Sequence, residues 1–149
     1  MASFTIVRHV AAPPGTVFEV LTDHGRYAEF TPVRRSELER QGDPPPNGVG
    51  AIRALTSVGP PLREEVLTFE PPTRFSYRLL SGAPLRDHVG TVELEAEGTG
   101  TRMVYAVRTF PNVPLVGPLL VAVVRRAVAG LAGGIASESE RRAAPADAR

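Results

Sequence analysis

Val113 to Ala136 reads VPLVGPLLVAVVRRAVAGLAGGIA, and the fold turns on what this stretch does. Leu119, Leu120, Val123, Val124, Ala127, Val128, Leu131 and Ile135 recur at three- and four-residue steps, the spacing of one broad helical face. The polar run Ser137, Glu138, Ser139, Glu140, Arg141, Arg142 is expected to carry the helix on into solvent. Pro118 suits a first turn, where its missing N–H leaves no bond unmade, while Pro114 leaves the start open by a turn. A membrane span needs about 20 apolar residues. Arg125 and Arg126 fall near the middle of the stretch, where each would cost roughly 2.5 to 3.5 kcal/mol, so no integral span is expected. Gly130, Gly133 and Gly134 are poor helix formers that leave room for another element, or a ligand, to approach the backbone.

Composition narrows the chemistry. A chain of 149 residues is expected to form one domain over 1–142, with a disordered tail over 143–149. A domain of that size buries about two thirds of its unfolded surface. A net charge of +1 makes no electrostatic case for nucleic acid or an acidic membrane surface. Cysteine is absent, which excludes disulfides, thiolate chemistry and cysteine metal sites. All 17 basic residues are arginine, so Schiff-base catalysis is excluded and arginine is the one permanent cation available to hold an anion. The start, Met1 to Thr5, has no basic region followed by an apolar run; a cytoplasmic protein is expected.

Ahead of the helix come pieces of strand length. Phe4 to Val10 alternates as a strand and stops at Pro13 and Pro14. Pro14 to Leu21 and Arg26 to Phe30 read as short helices, broken by Asp23, His24 and Gly25 and ended by Thr31 and Pro32. Six further strands follow, Val33–Arg40, Val49–Val58, Leu62–Glu70, Arg74–Leu80, Arg86–Glu97 and Thr101–Phe110, each closed by glycine, proline or both. Turn signals every 8 to 12 residues or so describe an antiparallel meander. The sum is an α+β fold: a curved antiparallel sheet of about seven strands wrapped around a long C-terminal helix, with two short helices after the first strand. Alternation turns Val92, Leu94, Ala96, Met103, Tyr105 and Val107 inward, with Tyr77, His88 and Gly90 on the same side.

These motifs, in this order, resemble the START-like, or helix-grip, superfamily, in its polyketide cyclase/dehydrase and lipid-transport branch. The matching residues are Val10-Ala11-Ala12-Pro13 with Val17 and Phe18; Leu21-Thr22-Asp23 with Phe30 and Pro32; Gly48-Val49-Gly50 with Arg53; Glu65-Val66; Glu70-Pro71-Pro72 with Tyr77; and Gly100-Thr101. Where relatives often place tryptophan, this chain has Phe30 and Tyr105. The resemblance covers nearly the whole chain and implies a cavity between sheet and C-terminal helix that holds a small hydrophobic molecule. Phe30, Phe69, Phe75, Tyr77, Met103, Tyr105, Leu120, Val124, Val128 and Leu131 would supply its apolar walls. The plainer reading is that the same residues pack against one another as a solid core, the usual role of buried aromatics.

Few residues carry chemistry. Arg53 and Glu65 lie on strands joined by the turn at Gly59, Pro60 and Pro61, so a hairpin brings them roughly opposite one another. They read either as a structural ion pair or as cavity groups, with Arg53 binding a ligand carbonyl or carboxylate and Glu65 acting as a base. His88 is the best single acid–base candidate, and Tyr77 or Tyr105 could polarise a carbonyl as an enolate forms. His9 and His24 read as peripheral. Neither a metal site nor a phosphate-binding loop is recognisable, so no metal and no cofactor are expected.

Three functions fit. The first is a carrier that sequesters a polyketide, lipid or isoprenoid-like molecule; the second is an aromatase, cyclase or dehydratase using His88, Glu65 and Arg53; the third turns the apolar C-terminal segment outward, as in an interaction or membrane-peripheral protein. The fold alone does not choose among them. The poverty of convergent polar groups favours the first, and a homodimer stays open.

Overall fold

The computed structural model describes residues 1–145. Strand β1 (Ala2–Val10) leads into helix α1 (Pro14–Thr22), a short 3₁₀ turn (His24–Arg26) and helix α2 (Tyr27–Phe30). Strands β2 (Arg35–Arg40), β3 (Ile52–Thr56), β4 (Leu62–Glu70), β5 (Arg74–Ser81), β6 (Leu85–Glu97) and β7 (Gly100–Pro111) precede helix α3 (Gly117–Ala143). The seven strands form one antiparallel sheet in the order β1-β7-β6-β5-β4-β3-β2. The first strand therefore closes against the last, and β1 and β2 are the two edges of an open sheet. This is the expected helix-grip α+β architecture.

Local chemistry accounts for the element ends. Pro14 opens α1 with its ring in the first turn, and Pro118 does the same for α3. The segment Asp23-His24-Gly25, expected only to break the chain, forms the 3₁₀ turn that joins α1 to α2. Strand β3 is shorter than expected, because Asp43 and Val49 close a small bridge of their own ahead of it. In β6 an extra residue is accommodated between Arg86 and Val89, at a bulge where Asp87 takes a left-handed φ of 50°. His88 is buried beside it.

Helix α3 packs differently from its expected pattern. Of the eight apolar positions assigned to one buried face, only Val128 and Ile135 are fully buried; Ala127 is exposed, and Leu119 and Val123 are 66% and 57% exposed. The stripe that packs is Val121, Val124, Val128, Ala132, Ile135 and Ser139, at helical steps of three and four. The N-terminal half of the helix is apolar nearly all round, so periodicity did not say which stripe would turn inward. Burial is concentrated in the C-terminal half, where α3 lies on β1, α1 and α2. There Gly134 meets α2 so closely that an added Cβ would stand 2.3 Å from the Phe30 carbonyl oxygen.

Nor does the polar run end in solvent. Ser139 is fully buried and its hydroxyl donates to the Ile135 carbonyl at 2.7 Å. Glu138, 8% exposed, accepts from Arg141 at 2.6 Å and Arg142 at 2.9 Å. Arg142 reaches Asp23 at 3.3 Å, and Glu140 accepts the Ala11 backbone N–H at 2.9 Å. This polar run pins the helix to the loops that flank α1. Of the tail expected over 143–149, Ala143 still belongs to α3; 146–149 lie outside the described residues.

A buried arginine ringed by aromatic side chains

Arg53 is the second residue of β3, with Glu64 directly opposite on β4. Its Nε donates to Glu64 Oε1 at 3.0 Å and its Nη2 to the same oxygen at 2.9 Å; the two side chains are 2% and 7% exposed. Three rings surround the guanidinium, with centroids 4.9 Å (Tyr77), 5.4 Å (Phe75) and 5.7 Å (Tyr27) from its central carbon. Burial opposes the charge on Arg53, yet the carboxylate of Glu64 outweighs it and holds the guanidinium above its ordinary pKa. Glu64 is itself pushed upward by burial, against the pull of Arg53.

Glu65 does not take part. As its neighbour Glu64 faces inward, strand alternation turns Glu65 to the opposite face, where Arg40 at 2.9 Å and Arg78 at 2.7 Å bracket it. The expected Arg53–Glu65 pair is thus replaced by Arg53–Glu64, one residue away. Arg53 and Glu65 do not share a site, and a base at Glu65 would lie outside it.

A hydroxyl pair lies next to the arginine. Tyr77 on β5 and Tyr105 on β7 share a hydrogen bond of 2.5 Å, although β6 runs between their strands. Gly90 makes this reach available: a Cβ there would stand 2.4 Å from Tyr77 Cζ. Both phenols are held above the ordinary tyrosine pKa by burial, so they stay protonated. Tyr27, pushed up to about 12 by burial, donates from its hydroxyl to the Leu21 carbonyl.

Two histidines complete the cluster. His88 packs 6.4 Å from the Tyr77 ring and is pushed down to about 4 by burial, so it is neutral near pH 7. His24, expected at the periphery, is 2% exposed, with its ring 5.2 Å from Tyr27 and 5.4 Å from Phe75. Burial first and the charge of Arg53 second lower its pKa well below the usual histidine value. Sequence reasoning missed it because a histidine beside glycine in a turn reads as surface, whereas the 3₁₀ turn tucks its ring under β5. His9 is peripheral as expected, 3.3 Å from Glu97 at the surface.

Several polar atoms in this cluster lack protein partners. Among the described residues, Arg53 Nη1, both ring nitrogens of His24, His88 Nδ1 and Thr109 Oγ1 are buried without a hydrogen bond. Buried polar groups are nearly always satisfied, so these atoms stand out as hydrogen-bonding capacity that the chain itself does not use. No group of three or more histidine, cysteine or acidic residues with metal-binding geometry occurs among the described residues.

The ten expected wall residues fall into three groups. Phe75, Tyr77, Met103, Tyr105 and Val128 are fully buried members of the central core, and Phe30, Phe69, Val124 and Leu131 pack on it half-buried. Leu120 is half-buried and stands outside that cluster. Phe69 meets Phe18 edge-on at 5.2 Å, and Phe30 lies against Tyr27 at 5.8 Å. Of the fully buried group, Phe75 and Tyr77 stand against Arg53 and Tyr105 bonds to Tyr77; of the half-buried group, Phe30 is on α2, Val124 and Leu131 on α3 and Phe69 on β4.

The profile of the polyketide cyclase/dehydrase and lipid transport family matches residues 1–140. No curated protein sequence matches the chain. Among solved structures, an aromatase/cyclase named Zhui from Streptomyces sp. R1128 superposes with a TM-score of 0.80 at 21% identity, covering 97% of each chain. A START superfamily protein from Mycobacterium smegmatis gives 0.76 at 13% identity, covering 93% of this chain and 97% of that one. The di-domain aromatase/cyclase StfQ of the steffimycin biosynthetic pathway gives 0.76 at 17% identity, over 95% of this chain and 51% of that one. At these identities the likeness is one of fold.

Proposed function

This chain belongs to the polyketide cyclase/dehydrase and lipid transport family, and we propose that it is a cytoplasmic carrier of a small hydrophobic molecule with a carbonyl or carboxylate oxygen. One observation carries the reading: Arg53 Nη1, a charged donor buried without an acceptor among aromatic rings. A ligand oxygen that reached it would gain a charge-assisted hydrogen bond away from bulk water. The neutral His24 and His88 and the protonated tyrosine pair add donors and acceptors without adding charge. The half-buried apolar residues of α2 and α3 offer contact to a polyketide, acyl or isoprenoid chain. Binding is favoured over catalysis because His88, with a pKa near 4, is a weak base at neutral pH.

The experiment is native mass spectrometry of protein purified mildly, followed by extraction and identification of what it holds. A stoichiometric oxygen-bearing hydrophobe is expected. The double variant R53Q/E64Q, which keeps a neutral pair in place, should bind that compound about tenfold to a hundredfold more weakly. Protein that is empty and shows no affinity for fatty acids or polyketide analogues overturns the proposal.

A second reading is cyclisation or dehydration of a polyketide, with Arg53 polarising a carbonyl while the Tyr77–Tyr105 pair and His88 manage the proton. It is favoured by His88 Nδ1, a buried ring nitrogen without a partner in the same cluster as the arginine. Turnover of an extracted compound that persists unchanged in His88→Ala removes that residue from the mechanism.

A further inference from the structure

Three connections meet at one end of the sheet: residues 57–61 between β3 and β4, 82–84 between β5 and β6, and 112–116 between β7 and α3. The Asn112 N–H donates to the Pro84 carbonyl at 2.8 Å, and a Cβ on Gly82 would lie 2.2 Å from Pro61 O. Together with the first turns of α3, these segments read SVGPP, GAP and NVPLVGPLLVAVV, without a charged or aromatic residue. They also bear most of the highly exposed aliphatic side chains of the fold, Leu115 at 100%, Val58 at 92%, Leu119 at 66%, Val123 at 57% and Val116 at 51%, with Val7 of β1, at 52%, outside them. Beside them, between the start of β1 and the start of α3, lies a cleft of about 580 Å³ lined throughout by apolar residues, Pro111, Leu115, Pro118 and Val121 among them.

Two further observations say what this end meets. The first charged residue reached along the chain on either side of each segment is an arginine: Arg53 and Arg63, Arg78 and Arg86, Arg108 and Arg125. Of these Arg78, Arg86, Arg108 and Arg125 are exposed, as is Arg126; Arg78 is paired with Glu65 and Arg86 stands 3.9 Å from Asp87, while α3 carries no acidic residue before Glu138. Arg126 shares a helix face with Leu119, Ala122 and Val123 by its spacing. Leu115, moreover, holds a left-handed backbone, φ 68°, while fully exposed, so a costly conformation presents a leucine that packs on nothing in the chain.

We propose that this end of the protein docks on a lipid bilayer, the aliphatic tips entering the acyl boundary and the arginines meeting anionic headgroups. An aliphatic cap with a basic rim is the pattern of interfacial membrane binding. The core of a protein–protein interface, by contrast, is enriched in aromatic residues, and these tips have none. The inference stands apart from the carrier reading, since it concerns exposed residues and requires nothing to be bound inside.

The test is co-sedimentation with vesicles of phosphatidylcholine mixed with phosphatidylglycerol, and with phosphatidylcholine alone. Binding is expected to the mixed vesicles, weaker to the neutral ones and falling with salt. L115D/L119D, whose altered side chains touch no core, should bind at least about tenfold more weakly with an unchanged circular dichroism spectrum. R108Q/R126Q should lose on the order of thirtyfold on mixed vesicles and little on neutral ones. Absence of binding, or binding indifferent to L115D/L119D, overturns the proposal. So does light scattering that shows a dimer which L119D dissolves, because the face would then belong to a second copy.

Discussion

Arg53 and Glu64 face one another across β3 and β4 at 2.9 Å, sealed from solvent, while Glu65, the very next residue, points to the other side of the sheet and holds Arg40 and Arg78. The neighbouring glutamates therefore differ sharply in what they support. Removing one partner of a buried pair strands the other charge, so E64Q should destabilise by about 3 to 5 kcal/mol. E65Q, on the partly open face, should cost no more than about 1 kcal/mol. Urea denaturation checks both; R53M/E64L, which removes both charges, should recover most of the loss. Equal effects at the two positions would contradict the assignment.

Acid should weaken the fold through its buried imidazoles. His88 is held near pH 4 in the folded protein against an ordinary value of 6.5, so the unfolded chain takes up its proton first as pH falls. Its destabilising contribution is nil above the unfolded value, grows progressively as pH falls from about 6.5 to 4, and is level below that, reaching at most about 3 kcal/mol. His24 acts with the same sign. In H88Q the slope of stability against pH across this window should be shallower than in the parent, read by urea unfolding at a series of pH values.

Glu138 acts lower on the pH scale. The hydrogen bond from Arg141 first, and that from Arg142, hold its carboxyl at about 2 against an ordinary 4.5. Its contribution is complete above the unfolded value and fades as pH falls from 4.5 toward 2. The stability gap between parent and E138Q should therefore be greatest at neutral pH and close across that interval, measured by thermal unfolding.

Gly90→Ala tests the crossing of Tyr77 over β6. The new methyl would stand 2.4 Å from the ring, so Tyr77 must move and its bond to Tyr105 must lengthen or break. A loss of about 1 to 3 kcal/mol is expected from overpacking. Y77F, which drops the hydroxyl and keeps the ring, should cost less than G90A; the reverse order would mean that the hydroxyl pair, not the fit of the ring, governs this part of the core.

Element order and sheet direction were legible because proline and glycine punctuate every turn and the strands have the length of a meander. Strand β4 was read to the residue, Leu62–Glu70, since Pro61 and Pro71 bound it on both sides. Inward placement of Tyr77, His88, Met103 and Tyr105 followed from alternation counted back from well-patterned strands, although Ala96, at the end of β6, is exposed. Alternation failed at Arg53, because β3 is covered on both faces and β4 carries adjacent glutamates, so nothing in the pattern says which one faces the arginine.

Sequence by itself determined the class of fold, the arginine-only chemistry and the absence of any thiol, since these depend on residue identity and short-range spacing. Tertiary structure decided which stripe of α3 is buried, which glutamate meets Arg53, that His24 lies inside, and that the apolar start of α3 is left uncovered. Each of these depends on where one element lies relative to another. A helix that is apolar on nearly every side, a strand with adjacent like residues and a histidine in a turn all leave that choice to packing.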